Sequence, residues 1–477
     1  MKRFAILSLT CLVVSGAGPV PAAGAEGAEP LTPDKAVALA LENHPALRAA
    51  SQEVEGAGAD KKIARSGYLP RLDLTEDYIH STNPVFVFAS KLGQERFGVT
   101  DFALESLNNP DPFTNAATRL VLRQNVWDAG RTILGNQAAL LGVDAASGSL
   151  ERARQQVAFG AIRAFWDAVL ADEMLTVARA GEEAAGANAG LASRQVEAGL
   201  AVPSDRMSAE VRLSEVRAMR IRAEQGALVA RAALRQALGL SEDRVFLLSP
   251  PSVGPEPGLS DATGADAVEG PGGAEARVSE ALSSRPDLRS LEVRISQAQV
   301  GEKIARSGYL PEVGVGAQYE WNATNPFGND GDNWSVAASV RVPLFEGLET
   351  SARMARARSD RARLEAIREA MAEGIRLEVS AAHADTVAAA ERLSVAESAL
   401  ALADEALRIV RERYTEGMAV VVELLGAEAA RTQAQGNKVT AARDLALAEA
   451  ALDLATGRMP AAGGASTSAA HQGGEEE

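Results

Sequence analysis

One string of nine residues occurs twice in the chain and constrains its fold more than any other feature. The string Lys-Ile-Ala-Arg-Ser-Gly-Tyr-Leu-Pro occupies residues 62–70 and returns unchanged at 303–311, an offset of 241 positions (303 − 62). Lys-Ile-Ala-Arg can close a helix. Ser-Gly can end it, because glycine tolerates the left-handed turn at a helix end, and the residue before proline is extended. The string therefore predicts a helix-to-strand junction that is used twice, in a chain built from two copies of one unit.

The N-terminal segment has the features of a secretory signal peptide. Lys2 and Arg3 precede an apolar run at residues 4–14, and Ala23-Gly24-Ala25 fits a small-x-small cleavage site. A membrane anchor is the alternative, but the run is too short to span a bilayer. Cys11, the only cysteine of the chain, lies inside this run. We therefore expect cleavage after residue 25 and a mature chain without disulfides or thiol chemistry.

Composition excludes several classes of function. The formal net charge of −16 argues against a nucleic-acid partner, which calls for a basic surface. Hydrophobic residues make up 46% of the chain but aromatic residues only 4%, so small side chains dominate, as in closely packed helices. The chain shows no nucleophile constellation, phosphate loop or His-x-x-His spacing, so we expect no enzyme, cofactor or metal site. The histidines are scattered, at His44, His80, His383 and His471.

The two units share one predicted order of elements. Gly199 matches Gly417 and Gly239 matches Gly457, each 218 positions apart, so the first unit carries 23 extra residues (241 − 218) in its hairpin loop. The predicted organisation is a signal peptide (1–25); a first repeat (26–240) with strands at about 71–80 and 118–127 and helices at about 132–198 and 203–239; a linker (241–275); a second repeat (276–458) with strands at about 312–321 and 334–343 and helices at about 349–415 and 421–457; and a disordered acidic tail (459–477).

The helix predicted at 349–415 carries two rows of residues that repeat every seven positions. Large side chains on one row face mostly alanines on the other, which predicts a coiled-coil seam. The first row is Val379, Thr386, Leu393, Leu400, Leu407 and Tyr414, and the second is Ile375, Ala382, Ala389, Ala396, Ala403 and Val410. At 1.5 Å per residue the helix is on the order of 100 Å long, far beyond the globular average.

Each predicted hairpin has one apolar and one polar face. The apolar face either covers a core or faces lipid, and a soluble two-stranded ribbon is the simpler alternative. Tyr319, Trp321 and Trp334 cluster where an aromatic girdle belongs. A sheet in lipid must close, and four strands are too few for a barrel, so several chains must contribute strands to one barrel.

In its order of elements the chain resembles the TolC-like outer-membrane efflux protein family over about residues 31–458. The resemblance is carried by the His-Pro and Arg-Pro openings at 44–45 and 285–286, the two Ser-Gly-Tyr-Leu-Pro junctions, Val-Pro-Leu-Phe-Glu-Gly at 342–347, and the turns at Gly199 and Gly417. It implies a mainly α fold with a membrane β-barrel. Four strands from each chain of a homotrimer would make a 12-stranded barrel that continues into an α-helical tunnel in the periplasm. It further implies an outer-membrane location and a passive export duct without catalysis.

The resemblance also implies partners and a gate. The partners are outer-membrane lipid, a periplasmic adaptor protein and an inner-membrane pump of the RND or ABC type. Glu423 falls on a gate position that is usually acidic in the family, and Asp205 is its counterpart in the first repeat. Rings of carboxylates would attract cations in a narrow pore. Asp205 is equally explained as a helix cap. Gly426 stands where the family has a second acidic residue.

The turns at 196–204 and 414–421 resemble the tips that dock the adaptor. The positions expected to be exposed there are Gly199, Leu200, Gly417 and Met418. Simple turn chemistry explains the glycines as well, and both interpretations can hold together. The competing hypothesis for the whole chain is a soluble periplasmic coiled-coil adaptor or scaffold, which leaves the alternating hairpins and the repeat unexplained.

Overall fold

A computed structural model describes residues 30–199, 201–240, 244, 246–251 and 273–460. The predicted signal peptide and most of the predicted linker and tail lie outside these residues, as does Leu200. The helices are α1 (Pro33–Asn43), α2 (Pro45–Ser66), α3 (Pro84–Gly93), α4 (Leu104–Asn108), α5 (Arg131–Glu197), α6 (Pro203–Ala237), α7 (Ala274–Ser284), α8 (Pro286–Ser307), α9 (Glu349–Thr415) and α10 (Val421–Thr456). The strands are β1 (Pro30–Leu31), β2 (Arg71–Ser81), β3 (Phe113–Trp127), β4 (Leu247–Leu248), β5 (Glu312–Ala323) and β6 (Gly331–Arg341).

A proline divides the first helical segment of each repeat. His44 and Arg285 both have extended backbone, with ψ of 127° and 125°, because each precedes a proline that begins the next helix. The His44 imidazole accepts a hydrogen bond from the amide of Ala46 at 3.2 Å and caps α2. Arg285 makes no such cap and instead enters a cluster of charged side chains.

The repeated junction forms as predicted, but the reason given for its glycine is wrong. Gly67 and Gly308 have φ of −61° and −60°, which is right-handed helical backbone. The glycines are needed for space instead. A Cβ at Gly67 would lie 3.0 Å from Oγ1 of Thr132, and one at Gly308 would lie 3.0 Å from Cγ2 of Thr350. These threonines belong to the first turns of α5 and α9, so the glycines let the long helices approach the junctions.

The two hairpins join into one antiparallel sheet of four strands, in the order β2-β3-β5-β6. The central pairing links the repeats, because β3 pairs with β5 from Ala116 opposite Ala323 to Trp127 opposite Val313. β3 begins at Phe113 rather than at the predicted residue 118. The outer strands β2 and β6 each keep one unpaired edge within the described chain.

Two helices of 67 residues, α5 and α9, dominate the rest of the molecule. α5 packs along α6, and α9 along α10. The predicted seam on α9 is confirmed, since every member of both rows is buried or half-buried. Near the middle of the molecule, Phe165 and Trp166 of α5 pack edge to face, with 5.8 Å between ring centroids, inside the largest hydrophobic cluster. Among the described helices, none combines the length and apolar character needed to cross a bilayer.

Candidate functional site: sheet faces and helix tips

The four-stranded sheet has two chemically distinct faces, fixed by its register. The apolar face carries Leu72, Leu74, Tyr78, Leu120, Leu122, Val315, Ala317, Tyr319, Trp334, Val336 and Val340. Many of these side chains are exposed in the single chain, for example 60% for Leu74 and 69% for Val336. Such a row of exposed apolar side chains on regular strands is typical of a surface that contacts lipid or another protein.

The charged face carries the opposite set: Arg71, Asp73, Asp77, Asn115, Arg119, Arg123, Gln318, Glu320, Asn322, Asn333 and Ser335. Arg119 on β3 bridges both neighbouring strands, because its guanidinium pairs with Asp77 on β2 and with Glu320 on β5. Arg123 pairs with Asp73 at 3.0 Å. Alternating ion pairs of this kind suit a wall that faces water.

The three predicted girdle aromatics lie together on the apolar face. Tyr319 stands opposite Trp334 in the register of β5 and β6, and its ring centroid is 4.8 Å from that of Trp321. The Trp334 side chain is 71% exposed. Trp321 stands opposite Asp332 in the register of β5 and β6. The amphipathic tryptophan rings therefore lie where the apolar face of the sheet meets polar residues.

The two helix-to-helix turns at the far end of the molecule have the same geometry. Gly199 follows α5 with φ of +73° and Gly417 follows α9 with φ of +76°. This is left-handed backbone, which glycine adopts at little cost. Met418 is 60% exposed, and its amide donates to the carbonyl of Arg413 at 2.8 Å. Gly199, Gly417 and Met418 therefore lie at turns, whereas Leu200 lies outside the described residues.

The two acidic residues expected at the gate occupy equivalent places in the first turns of α6 and α10. The amides of Asp205 and Glu423 each donate to the carbonyl of a valine three residues earlier, at 3.0 Å. Neither helix has a side-chain cap, so Asp205 is not the N-cap that the alternative explanation requires. Its carboxylate instead lies near the positive end of the helix dipole.

Consecutive residues in the last turn of α9 interact with the two acidic positions, one through an ion pair and the other through the electric field of the carboxylate. The guanidinium of Arg413 lies 3.9 Å from the Glu423 carboxylate. The phenol of Tyr414 donates to the side-chain oxygen of Gln195 on α5 at 2.8 Å and thereby ties the two long helices together. Burial raises the pKa of Tyr414 and the negative charge of Asp205 raises it further, whereas the hydrogen bond to Gln195 acts in the opposite direction. The phenol is therefore a stable donor at neutral pH.

Sequence reasoning placed Tyr414 in the helix seam and at the start of the 414–421 turn, but it missed the hydrogen bond to Gln195. One signal was available, because Tyr414 is the single aromatic side chain in a row otherwise occupied by valine, threonine and leucine. A phenol at the end of such a row places a hydrogen-bonding group beside the turn. Among the described residues, no cluster of histidine and acidic side chains has the geometry to hold a metal ion.

A lipid-compatible sheet face, a charged opposite face and long paired helices define the class of outer-membrane channels with a helical tunnel. The chain matches the outer membrane efflux protein family over residues 36–240 and 278–458, and it belongs to that family. It is therefore a channel protein of the outer membrane, with most of its length in the periplasmic helices. The alternative of a soluble periplasmic scaffold is set aside on this ground.

Similar proteins agree with the assignment. The chain is 25% identical to Protein CyaE of Bordetella pertussis over 428 residues, which cover 89% of this chain and 84% of the relative. It is 26% identical to the alkaline protease secretion protein AprF of Pseudomonas aeruginosa over 324 residues, 66% of this chain and 61% of the relative. The fold matches the outer membrane channel CmeC of Campylobacter jejuni with a TM-score of 0.72 at 16% identity, covering 89% of this chain and 85% of that one.

Proposed function

We propose that three copies of this chain form a passive duct through the outer membrane and the periplasm. The observation that carries the proposal is the four-stranded sheet, with its apolar face, its charged face and its two unpaired edges. An unpaired strand edge in hydrocarbon costs several kcal/mol for each unsatisfied backbone group, so the sheet must close. Pairing β6 of one copy with β2 of the next gives twelve strands, whose apolar faces meet lipid and whose charged faces line the lumen.

The duct supplies a path and no chemistry of its own, so an inner-membrane pump provides the energy. A periplasmic adaptor protein connects the two by docking on the helix turns, through the described turn residues Gly199, Gly417 and Met418. AprF is named for the secretion of a protease. This name favours a secreted polypeptide as the cargo and an ABC-type pump as the partner, whereas an RND-type pump would correspond to small molecules.

The resting duct closes at the same turns. Asp205 and Glu423 would each form a ring of three carboxylates around the lumen, and such rings attract cations. The hydrogen bond from Tyr414 to Gln195 and the ion pair between Arg413 and Glu423 hold the turns together within one chain. Opening the duct requires these contacts to break. Because Glu423 belongs both to the ion pair and to an acidic ring, the same residue contributes to closure and to cation attraction.

Single-channel recording of the purified trimer in planar bilayers tests the proposal. We expect multivalent cations added on the periplasmic side to block the current, and the double variant Asp205→Ala with Glu423→Ala to relieve that block. The matched control is the double variant Glu397→Ala with Glu405→Ala, which also removes two charges from each chain, at positions on α9 where the carboxylates pair with Lys438 at 3.2 Å and with Arg408 at 2.7 Å. Absence of any channel would refute the duct, whereas channels with unchanged block would refute only the gate residues.

A further inference from the structure

The segment between β2 and β3 is the largest difference between the two repeats. It occupies residues 82–112, whereas the corresponding turn between β5 and β6 occupies only 324–330. The segment was expected to be a long loop, but it contains α3, a 3-10 turn at Val99–Phe102 and α4. We call residues 82–112 the mouth loop, because it lies at the end of the sheet opposite the helices.

The mouth loop folds over the charged face of the sheet. A Cβ placed on Gly93 would lie 3.4 Å from the side chain of Asn322, and one placed on Gly331 would lie 2.5 Å from the carbonyl oxygen of Gly93. Both contacts are to the end of the sheet formed by β5 and β6. The loop therefore crosses from β2, where it starts, toward the opposite edge strand β6.

Gln94 fixes the loop in this place. Its side chain is only 1% exposed, and its amide nitrogen lies within hydrogen-bond distance of the Thr114 carbonyl (2.9 Å), the Asn115 side-chain oxygen (2.8 Å) and the Ala323 carbonyl (3.0 Å). The Asn115 amide in turn donates to Asn322 at 2.8 Å. A buried and connected polar network of this kind specifies one arrangement, because any other leaves buried groups without partners.

One face of α3 is apolar and uncovered in the single chain. Val87 and Ser90 lie on the buried side of α3 and are 2% and 6% exposed, whereas Val85 and Leu92 on the other side are 78% and 50% exposed. Farther along the mouth loop, Val99 is 91% exposed. Exposed apolar side chains that lie together on one face of a helix are typical of a surface that contacts another protein or lipid. Within a water-filled lumen, α3 therefore requires a cover that one chain does not supply.

The size of the proposed barrel identifies the cover. Twelve strands spaced about 4.8 Å apart and tilted by about 40° enclose a cylinder roughly 24 Å across between backbones. A helix with its side chains is about 10 Å thick, so a triangular bundle of three mutually touching helices spans roughly 22 Å. Three copies of α3 that converge at the rim of this cylinder, beyond the ends of the strands, would therefore close it and cover one another.

We infer that the three mouth loops of the trimer pack against each other through Val85, Leu92 and Val99 and close the outer end of the barrel. The inference rests on the proposed trimer and assigns the uncovered face of α3 to the same loop of the other two copies. The duct then has two barriers in series, one at the helix turns and one at the mouth. The mouth barrier excludes bulky solutes in the surroundings from the lumen.

Labelling of a cysteine inside the barrel tests the inference in intact cells. Cys11 is the only cysteine of the sequence and lies in the predicted signal peptide, so Ser335→Cys on the charged face would be a unique site. We expect a small maleimide to label it and a bulky polyethylene-glycol maleimide to be excluded. Adding Gln94→Ala, or replacing the mouth loop by the short turn of the second repeat, should admit the bulky reagent. Asn109→Ala is the matched control, because its amide bonds only to Glu105 within the loop.

The outcomes separate the mouth barrier from the duct itself. Labelling by the bulky reagent with an intact mouth loop would overturn the inference, as would continued exclusion after the loop is shortened. If the small reagent fails in every variant, there is no lumen and the proposed duct falls with the inference. As a second measurement, Leu92→Cys should form disulfide-linked dimers on oxidation. Phe327→Cys on the β5–β6 turn should not, although Phe327 is more exposed than Leu92, at 72% against 50%.

Discussion

Replacing Arg285 by methionine is expected to destabilise the protein more than any other single change at the proline-divided helices. The Arg285 side chain is 5% exposed. Its guanidinium donates to Asp287 at 2.8 Å, to Glu378 at 2.6 Å and to the carbonyl of Ala455 at 3.1 Å. Methionine keeps the volume but leaves the two carboxylates and the carbonyl without this donor.

The expected loss of unfolding free energy depends on the interactions that Asp287 and Glu378 keep after the substitution. Breaking a buried ion pair by removing one partner costs about 3–5 kcal/mol. Here the Asp287 carboxylate keeps Arg152 at 3.4 Å and the Glu378 side chain is 44% exposed, so the lower end applies. We expect a loss of about 3 kcal/mol. With an unfolding entropy of about 2.1 cal/mol/K per residue over roughly 400 residues, this lowers the apparent Tm by roughly 3–4 °C.

The assay is thermal unfolding of the detergent-solubilised protein followed by far-UV circular dichroism. The matched control is His44→Met, which occupies the same place in the first repeat and loses only a helix cap, a change of about 1 kcal/mol. Equal shifts in Tm for the two variants would refute the reasoning, because the charged cluster distinguishes the two sites.

The same cluster predicts a pH dependence. Burial acts to raise the pKa of Asp287, but the hydrogen bonds from Arg285 and the charges of Arg152 and Arg285 outweigh it and leave the pKa below its usual value. A carboxyl whose folded pKa is depressed stabilises the fold above its unfolded pKa and loses that contribution as the pH falls through the folded value. The difference in Tm between the parent and Arg285→Met should therefore shrink in acid. A difference that stays constant into strong acid would contradict this assignment.

The remaining predictions concern a helix end and the sheet faces. Gly239→Ala should cost at least about 1–3 kcal/mol, because φ is +68° and the new Cβ would lie 2.7 Å from the carbonyl oxygen of Asn43. Gly199→Ala has the same backbone strain with nothing within 4 Å, so its shift in Tm should be smaller, and the reverse order would contradict the argument. Val336→Arg on the apolar face should cost about 2–4 kcal/mol if it lies at mid-membrane and reduce heat-resistant trimer on gels. Ser335→Arg, its neighbour on the charged face, should leave the trimer intact, and equal loss would reject the assignment of faces.

The long helices were predictable because their signals are local. The absence of proline and the seven-residue rows on α9 predicted a helix at 349–415, and the structure has Glu349–Thr415. The strands of the second repeat alternate cleanly and were predicted to within a few residues. β3 was predicted too short, because residues 113–117 lack alternation and are held in the sheet by pairing with β2.

Contacts between distant segments could not be predicted. Gly67 was explained by backbone conformation, whereas its real constraint is Thr132, a residue of another helix. The sequence around Gln94 lacks periodicity, so nothing in it predicted that this side chain would be buried. Its partners Asn115 and Ala323 lie on β3 and β5. Glu423 was chosen by family resemblance, but its ion pair with Arg413 depends on how the turn folds back.

The direct pairing of β3 with β5 has a consequence for how the proposed trimer would be built. In that trimer each chain would complete three strand pairings by itself and leave one for a neighbour, since β2 and β6 are the edge strands of the four-stranded sheet. Nine of the twelve strand pairings of the proposed barrel would thus form within single chains, so their formation would not depend on protein concentration. Dilution would then weaken only the pairing of β6 with β2 between neighbouring chains. The trimer would therefore assemble from preformed four-stranded sheets rather than from twelve separate strands.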